Sequence, residues 1–527
     1  MKQQKHLNKT LFFIISFLLV SLAYIILISN ELTNTRDGLW NGMYYQPGSW
    51  EISNGRWLWP FVSSLYNNIA TEPFISSLSL AMFVLGACFI IQMFDLWEHR
   101  YIYLISLGIT INVTVCSFLS YPYIAAIFGA SFLTSIIAVW SVTQLNKKEN
   151  VYYKLAGIII STFFIVCTLA LYQAQIGCTC LLMLAWLIYL LCHEKNWKRI
   201  AIFAFQGAFS FLCGCQIYYD IWNYILIKNG IEAASYCGAN NLSLVHIIES
   251  LPERIRFSYY SWDQFFSCKT SAKYNALADN RFVFLLYLFF LAVIILVIMN
   301  IISNAADVKW GITRAILALL LFAIFPIASC VFYLLAPDGG FFEIQMTMPT
   351  MFNIPILICL LPNQIFKTKI SSVLYSGSKK SCLFFTMIII FGNYQQVSVD
   401  QHLMLQCKRT TLALMDRIIS DIEINEYPNL DKHFIFLGRP TDNPLYRKDP
   451  LWDKGNDYAR YGNLFIYDFN LSYNGLLRDG GYNLAINWDN SYRYAYEQME
   501  NVINMPAYPE KGYYQIIDDN IIVKVSK

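Results

Sequence analysis

Runs of about twenty apolar residues recur along this chain, and each has the length an α-helix needs to cross the hydrocarbon of a bilayer. They fall at 11–29, 74–94, 102–119, 123–142, 155–171, 176–192, 200–218, 282–302, 312–335, 344–361 and 381–392, the last being the shortest. Backbone in lipid finds no water to bond, so each run must close its own hydrogen bonds as a helix. The pattern predicts an all-α polytopic transmembrane protein of about eleven spans. Composition agrees, since only 14% of residues are charged and the mean hydropathy is +0.42, where soluble domains carry roughly 25% charged residues.

The basic residues supply an orientation, because Lys and Arg in short loops gather on the cytoplasmic side. Counted alternately, the loops holding Lys2, Lys5 and Lys9, Arg100, Lys147, Lys148 and Lys154, Lys195, Lys198 and Arg199, Lys309 and Arg314, and Lys367, Lys369, Lys379 and Lys380 share one side. The short loops around 120–122, 173–175 and 337–343 contain neither Lys nor Arg. The expected protein is thus multi-pass in the plasma membrane, amino terminus cytoplasmic and carboxyl terminus extracytoplasmic. The basic start and first apolar run have no small-residue cleavage site before Glu31, which reads as a retained span. A net charge of +3, with lysines clustered between apolar runs, excludes a nucleic-acid-binding face.

This topology gives a transmembrane domain over residues 1–392 with outer loops at 30–73 and 220–280, and a small α+β extracytoplasmic domain over 393–527. In the latter we expect an amphipathic helix at 401–422, a strand at 433–438, a helix at 492–504 and a terminal hairpin turning near Asp518-Asp519-Asn520.

The first outer loop concentrates carboxylates, arginines and tryptophans beside the membrane: Arg36-Asp37-Gly38-Leu39-Trp40, then Pro47-Gly48-Ser49-Trp50-Glu51, then Asn54-Gly55-Arg56-Trp57-Leu58-Trp59. That mixture suits a sugar carried on an anionic lipid. A carboxylate such as Asp37 or Glu51 can take a proton from an attacking hydroxyl. A guanidinium, Arg36 or Arg56, can clamp a phosphate at two points, and the indoles of Trp40, Trp50 and Trp57 can stack on a sugar ring. The tryptophans equally fit an interfacial aromatic belt. The second outer loop adds Arg254 and Arg256 as candidate phosphate or acceptor contacts, against the plainer reading of a solvated helix. Tyr172 and Gln173 stand at the outer end of a span, as interfacial anchors or as substrate contacts. Asp338 and Glu343 lie on the same side in a Gly-rich turn, each able to serve as an alternative carboxylate or as a metal ligand.

No histidine or cysteine cluster has metal-ligand spacing. Cys178-x-Cys180 and Cys213-x-Cys215 lie in apolar helix ends without a nearby histidine, so packing explains them and a divalent metal finds no support. No Gly-rich phosphate loop appears, so no nucleotide site is expected and no cofactor is assigned, a divalent metal staying open but unsupported. Most of the fourteen cysteines sit in apolar runs as small hydrophobes; Cys237 and Cys268, in the second outer loop, are able to pair in an oxidising compartment.

Asp37 shortly after the first span, followed by Asn54-Gly55-Arg56-Trp57, resembles the first outer loop of the type II glucosyl transferase (GtrII) family of bacterial membrane proteins. Leu171-Tyr172-Gln173-Ala174 is similar to a short motif of that family, as is the ending, from Met505-Pro506-Ala507-Tyr508-Pro509 through Lys511-Gly512 to Ile522-Val523-Lys524-Val525-Ser526. The resemblance implies a fold of the multi-span, lipid-linked-sugar glycosyltransferase class (GT-C). It further implies transfer of a sugar, glucose by the family name, from a polyprenyl phosphate donor to a cell-surface glycan acceptor on the outer membrane face. Asp37 becomes the candidate general base and Arg56 the partner of the donor phosphate. The family often has two adjacent acids here, whereas Arg36 and Gly38 flank Asp37, so Glu31 and Glu51 stay as competing carboxylates. Two other functions remain open: a flippase or transporter of lipid-linked sugars, which would keep ionisable residues inside its spans, and a surface-glycan polymerase or ligase.

Overall fold

The computed structural model describes residues 8–34, 37–148, 150–235, 244–267, 280–304, 308–335, 343–361, 369–427, 431–438, 450–460, 470–487 and 489–526. Each of the eleven apolar runs is helical over most of its described length. Among the described residues eight helices are long and apolar enough to cross a membrane, or nine if the bent pair Ile102–Thr110 and Val113–Leu119 is one span. Lys9–Ala23 and Ile344–Cys359 are shorter apolar helices, the first continued by Ile25–Ser29 after a break at Tyr24. The protein is therefore an integral membrane protein built on a helical bundle.

The bent pair turns by 53°, which in lipid would strand backbone groups. Asn112 and Tyr24 meet that cost. The Asn112 side chain accepts from Thr114 N and Val115 N and donates to Ile109 O, while Tyr24 Oη donates to Thr110 O at 2.7 Å and accepts from Asn112 N. Small residues let neighbouring helices approach. A Cβ on Gly129 would stand 2.9 Å from Ser79 O, and one on Gly214 would stand 2.5 Å from an Ile165 methyl.

Two ends of the bundle separate by composition. At one, Lys147 pairs with Asp95 at 3.2 Å, Lys9 lies over Trp97, Lys379 over Tyr101, and Arg314 donates to Lys195 O while stacking on Trp197. At the other, the 30–73 loop meets the turns at 120–122 and 172–175. Asn34 N donates to Ser120 O, Leu58 N to Ala170 O, Trp59 Nε1 to Leu171 O, and Gln345 bonds Tyr121. The segments that loop alternation assigned to one side thus gather at one end.

The run at 381–392 and the amphipathic helix expected at 401–422 form one helix, Lys369–Glu426, of 58 residues. Lys379 sits at the basic end, and Lys408 donates to Asn30 O and Glu31 O at the other. At 1.5 Å per residue those two positions are about 44 Å apart, the thickness of a bilayer with its headgroups. The helix is therefore long enough to cross a bilayer and extend beyond it, unbroken at the expected domain boundary of 392/393.

Beyond it, a three-stranded sheet has the order β1 (His433–Leu437), β3 (Asn520–Lys524), β2 (Tyr514–Ile517). β3 runs parallel to β1, and β2 and β3 form the expected terminal hairpin. The expected helix at 492–504 is two short ones, Asn490–Glu497 and Glu500–Ile503. Side chains alternate across the sheet. Phe434, Phe436, Ile521 and Val523 pack on Leu414, Ile418 and Ile422 of the long helix and on Tyr473, Leu476 and Leu477, whereas Ile435, Leu437 and Ile522 pack on Tyr496, Val502 and Met505. Buried Asp400 ties segment 450–460 to the long helix. Its two oxygens accept from Asn456 N, Asn456 Nδ2, Tyr458 Oη and Gln396 Nε2 at 2.6–3.1 Å.

Candidate active site in the first outer loop

Within the first outer loop, a short helix over Ser49–Ser53 is held by its own acid. Glu51 is buried, one carboxylate oxygen accepting from Gly48 N at 2.7 Å and the other from the Tyr45 hydroxyl. Its backbone oxygen receives Arg56 N at 2.9 Å. Between them Gly55 adopts φ +80°, with room for no side chain because a Cβ would lie 2.1 Å from Tyr218 Oη. The left-handed backbone and the crowding both demand glycine. That tight Asn54-Gly55 turn aims Arg56 inward.

Neighbouring spans then fix the turn. Gln173 Nε2 donates to Asn54 O at 2.7 Å and to Tyr218 Oη, Tyr218 Oη donates to Gly55 O, and Trp222 Nε1 donates to Ile52 O. The Arg56 guanidinium lies 5.0 Å over the Trp59 ring and 5.6 Å over the Tyr172 ring. Aromatic faces attract a cation but accept none of its directed N–H bonds in the way a carboxylate does. Arg56 Nε is buried without a hydrogen-bond partner, and no carboxylate forms an ion pair with Arg56 among the described residues. The cation is thus held by aromatic faces rather than by an acid.

Asp37 opens a five-residue helix, Asp37–Asn41, and is half-buried. It borders a cluster of tyrosines. Tyr45 and Tyr123 have ring centroids 4.7 Å apart, Tyr121 is 6.3 Å from Tyr123, and Tyr172 joins through Phe128. Burial, reinforced by the Glu51 hydrogen bond, drives the Tyr45 hydroxyl well above its ordinary pKa; the Arg56 charge opposes the rise and Asp37 adds to it. Tyr121 is pushed up by burial and then by the charges of Asp37 and, more weakly, Glu343. Asp37 and Arg56 thus act with opposite sign on the half-buried Tyr45 hydroxyl. Glu72, at the far end of the loop, has a pKa pushed up to about 7 by burial, with Ser76 as its hydrogen-bond donor.

Of the residues singled out from sequence, the structure gathers Asp37, Glu51, Arg56, Tyr172 and Gln173. Trp40 lies half-buried on the Asp37 helix and Trp57 half-buried beside Arg56, while Trp50 is exposed. Arg254 and Arg256 stand one layer away on the helix Leu244–Ser267; it packs on Val331–Leu335, which itself meets the Gln173–Gln175 turn. Glu31 lies where the loop meets Lys408. Arg36, Cys237, Cys268 and Asp338 lie outside the described residues. Tyr45, Tyr121 and Tyr123 did not stand out in the sequence, although Tyr121-Pro122-Tyr123 at the mouth of a base-free loop was a signal. Among the described residues no group of three or more His, Cys, Asp or Glu side chains is arranged to hold a metal, and the described cysteines are free.

A family model described as glucosyl transferase GtrII matches residues 37–360, a range that begins at Asp37 and includes Arg56, Tyr123 and Tyr172. No curated protein and no solved structure matches the chain.

Proposed function

From the premise that this chain belongs to the GtrII glucosyl transferase family, and is thus a membrane glucosyltransferase, we propose that it moves glucose from a polyprenyl phosphate donor to a cell-surface glycan on the outer membrane face. One observation carries the reading: a guanidinium held on Trp59 and Tyr172, with no carboxylate partner among the described residues, at the end of a lipid-facing bundle. Such a group recognises an anion presented at the bilayer surface, and a phosphate fits its planar donor fork.

In the proposed reaction Asp37 accepts the proton of the acceptor hydroxyl as its oxygen attacks the anomeric carbon. The bond from that carbon to the phosphate oxygen breaks, its electron pair leaves with polyprenyl phosphate, and the configuration inverts. Arg56 meets the charge that grows on the departing phosphate. Glu51, with both oxygens engaged by Tyr45 and Gly48, has the geometry of a brace for the loop rather than of a base. Trp57 and Tyr172 are the proposed apolar walls for sugar and prenyl chain, and Arg254 and Arg256 the outer contacts for the acceptor.

Membranes containing the protein, supplied with polyprenyl-phosphate glucose, should release polyprenyl phosphate and transfer glucose to surface glycan. Equal transfer from a nucleotide glucose in membranes depleted of polyprenyl phosphate would overturn the donor assignment. The outer-face location rests on loop charge. A reporter that works only when exported should be active after Lys527, and one that works only in the cytoplasm should be active at Lys148; the same side for both would overturn the proposed topology.

A further inference from the structure

Residues beyond 360 lie outside the range matched by the family model, yet they reach back to the Asp37 helix. Leu39, two residues after Asp37, is 3% exposed and belongs to the apolar core formed by the long helix, the sheet and the helix Asn470–Asp479. Arg478 Nη2 donates to Leu39 O at 3.0 Å, and its Nε is held by Asp479 at 3.0 Å. Gly475 faces the same carbonyl so closely that a Cβ would stand 2.0 Å from Leu39 O. Gly42, at φ +63°, abuts the Arg478 guanidinium, leaving 2.7 Å between an added Cβ and Nη2. On the opposite side, a Cβ on Gly38 would lie 2.7 Å from Ser120 O, and Asn34 bridges the two by accepting from Gly38 N and donating to Ser120 O.

A helix of five residues has almost no stability of its own, since it is barely longer than its nucleus. Its position is therefore decided by what grips it. Here the grips are the Ser120 turn of the bundle and the Asn470–Asp479 helix.

We infer that the C-terminal segment is a working part of the active site, in which Gly475 and Arg478 are positioning residues that set the placement of Asp37. The inference rests on Asp37 being the base. A base displaced by about 1 Å can lose 10²-fold in rate without losing substrate. In Gly475→Ala the new methyl must push the Asp37 helix or its own helix aside, so we expect kcat to fall by about 10- to 100-fold with the KM for donor unchanged within about twofold. Arg478→Ala, which forces no clash, should lose less.

The test uses full-length protein in membranes with polyprenyl-phosphate glucose, reading kcat and KM for Asp37→Asn, Gly475→Ala, Arg478→Ala and the double variant Asp37→Asn with Gly475→Ala. Val502→Ala, which loosens the opposite face of the sheet, serves as the control. If Gly475 acts through Asp37, the double variant is no slower than Asp37→Asn, and Val502→Ala keeps nearly the parental rate. Losses that add in the double variant, or an equal loss in Val502→Ala, overturn the inference in favour of a purely structural role. A slow Asp37→Asn beside full-rate Gly475→Ala and Arg478→Ala leaves the base assigned and overturns the inference alone. Full activity in Asp37→Asn removes the reading beneath it.

Discussion

Asp37→Asn lowers the turnover of glucosyl transfer by about 10²- to 10⁴-fold, the range that general-base catalysis supplies. Asparagine keeps the shape and the first-turn position on the Asp37–Asn41 helix, so folding and membrane insertion persist. The side-chain amide cannot take the proton of the acceptor hydroxyl, so the loss falls on kcat while the KM for donor stays near the parental value. Glu51→Gln is the informative companion. Glu51 receives its two donors in a buried place, so its amide would lose one of them and loosen the loop, with a smaller loss of rate and a measurable loss of thermal stability. A near-parental rate in Asp37→Asn beside a collapse in Glu51→Gln would exchange the two roles. Parental rates in both would move the chemistry to another carboxylate of the same end, with Glu343, whose charge also reaches Tyr121, the first to be tested.

Arg56→Ala lowers the transfer rate by about 10²- to 10³-fold, the cost of deleting one preorganised donor at a developing negative charge. Arg56→Lys recovers only a small part. An ammonium keeps the charge, but it has no planar fork for two-point contact with phosphate and stacks less well between Trp59 and Tyr172. The loss should appear in kcat, with donor binding weakened as well, because the phosphate is present in both the ground state and the transition state. Initial rates at varied concentrations of polyprenyl-phosphate glucose separate the two effects. Full activity in the lysine variant would make Arg56 a structural cation that holds Trp59 and Tyr172 together.

Much of the architecture was legible from local pattern. Apolar runs became helices wherever the structure describes them, because a helix is the way a single stretch of backbone satisfies itself in lipid. The basic loops gathered at one end, as their alternation implied. The terminal hairpin formed at Asp518-Asp519-Asn520 because turn residues between two β-prone runs specify it locally. Conversely, the fusion of 381–392 with 401–422 into one rod was not legible: the short apolar run looked like an isolated span, and nothing local marked the polar stretch between as helix rather than loop. Breaks within nominal spans, such as those at Tyr24 and at Asn112, were hidden for a related reason. A break in lipid is stable only if a distant partner takes up its backbone groups, and the Tyr24 hydroxyl on Thr110 O is such a partner.

Within the site, the sequence alone determined the composition: Asp37, Glu51, the Asn54-Gly55-Arg56-Trp57 turn and Tyr172-Gln173, each recognisable because acids, arginines and indoles are rare company beside a membrane span. Only the tertiary structure decided their roles. It set Glu51 against Tyr45 and Gly48, laid Arg56 on Trp59 and Tyr172, drew in the tyrosines of the 121–123 turn, and buried Leu39 in a core made by residues more than 360 positions later. The physical reason is range. Hydropathy and turn propensity act over a few residues, whereas burial, π contact and the field of a charge depend on which distant segments fold into the same few ångströms.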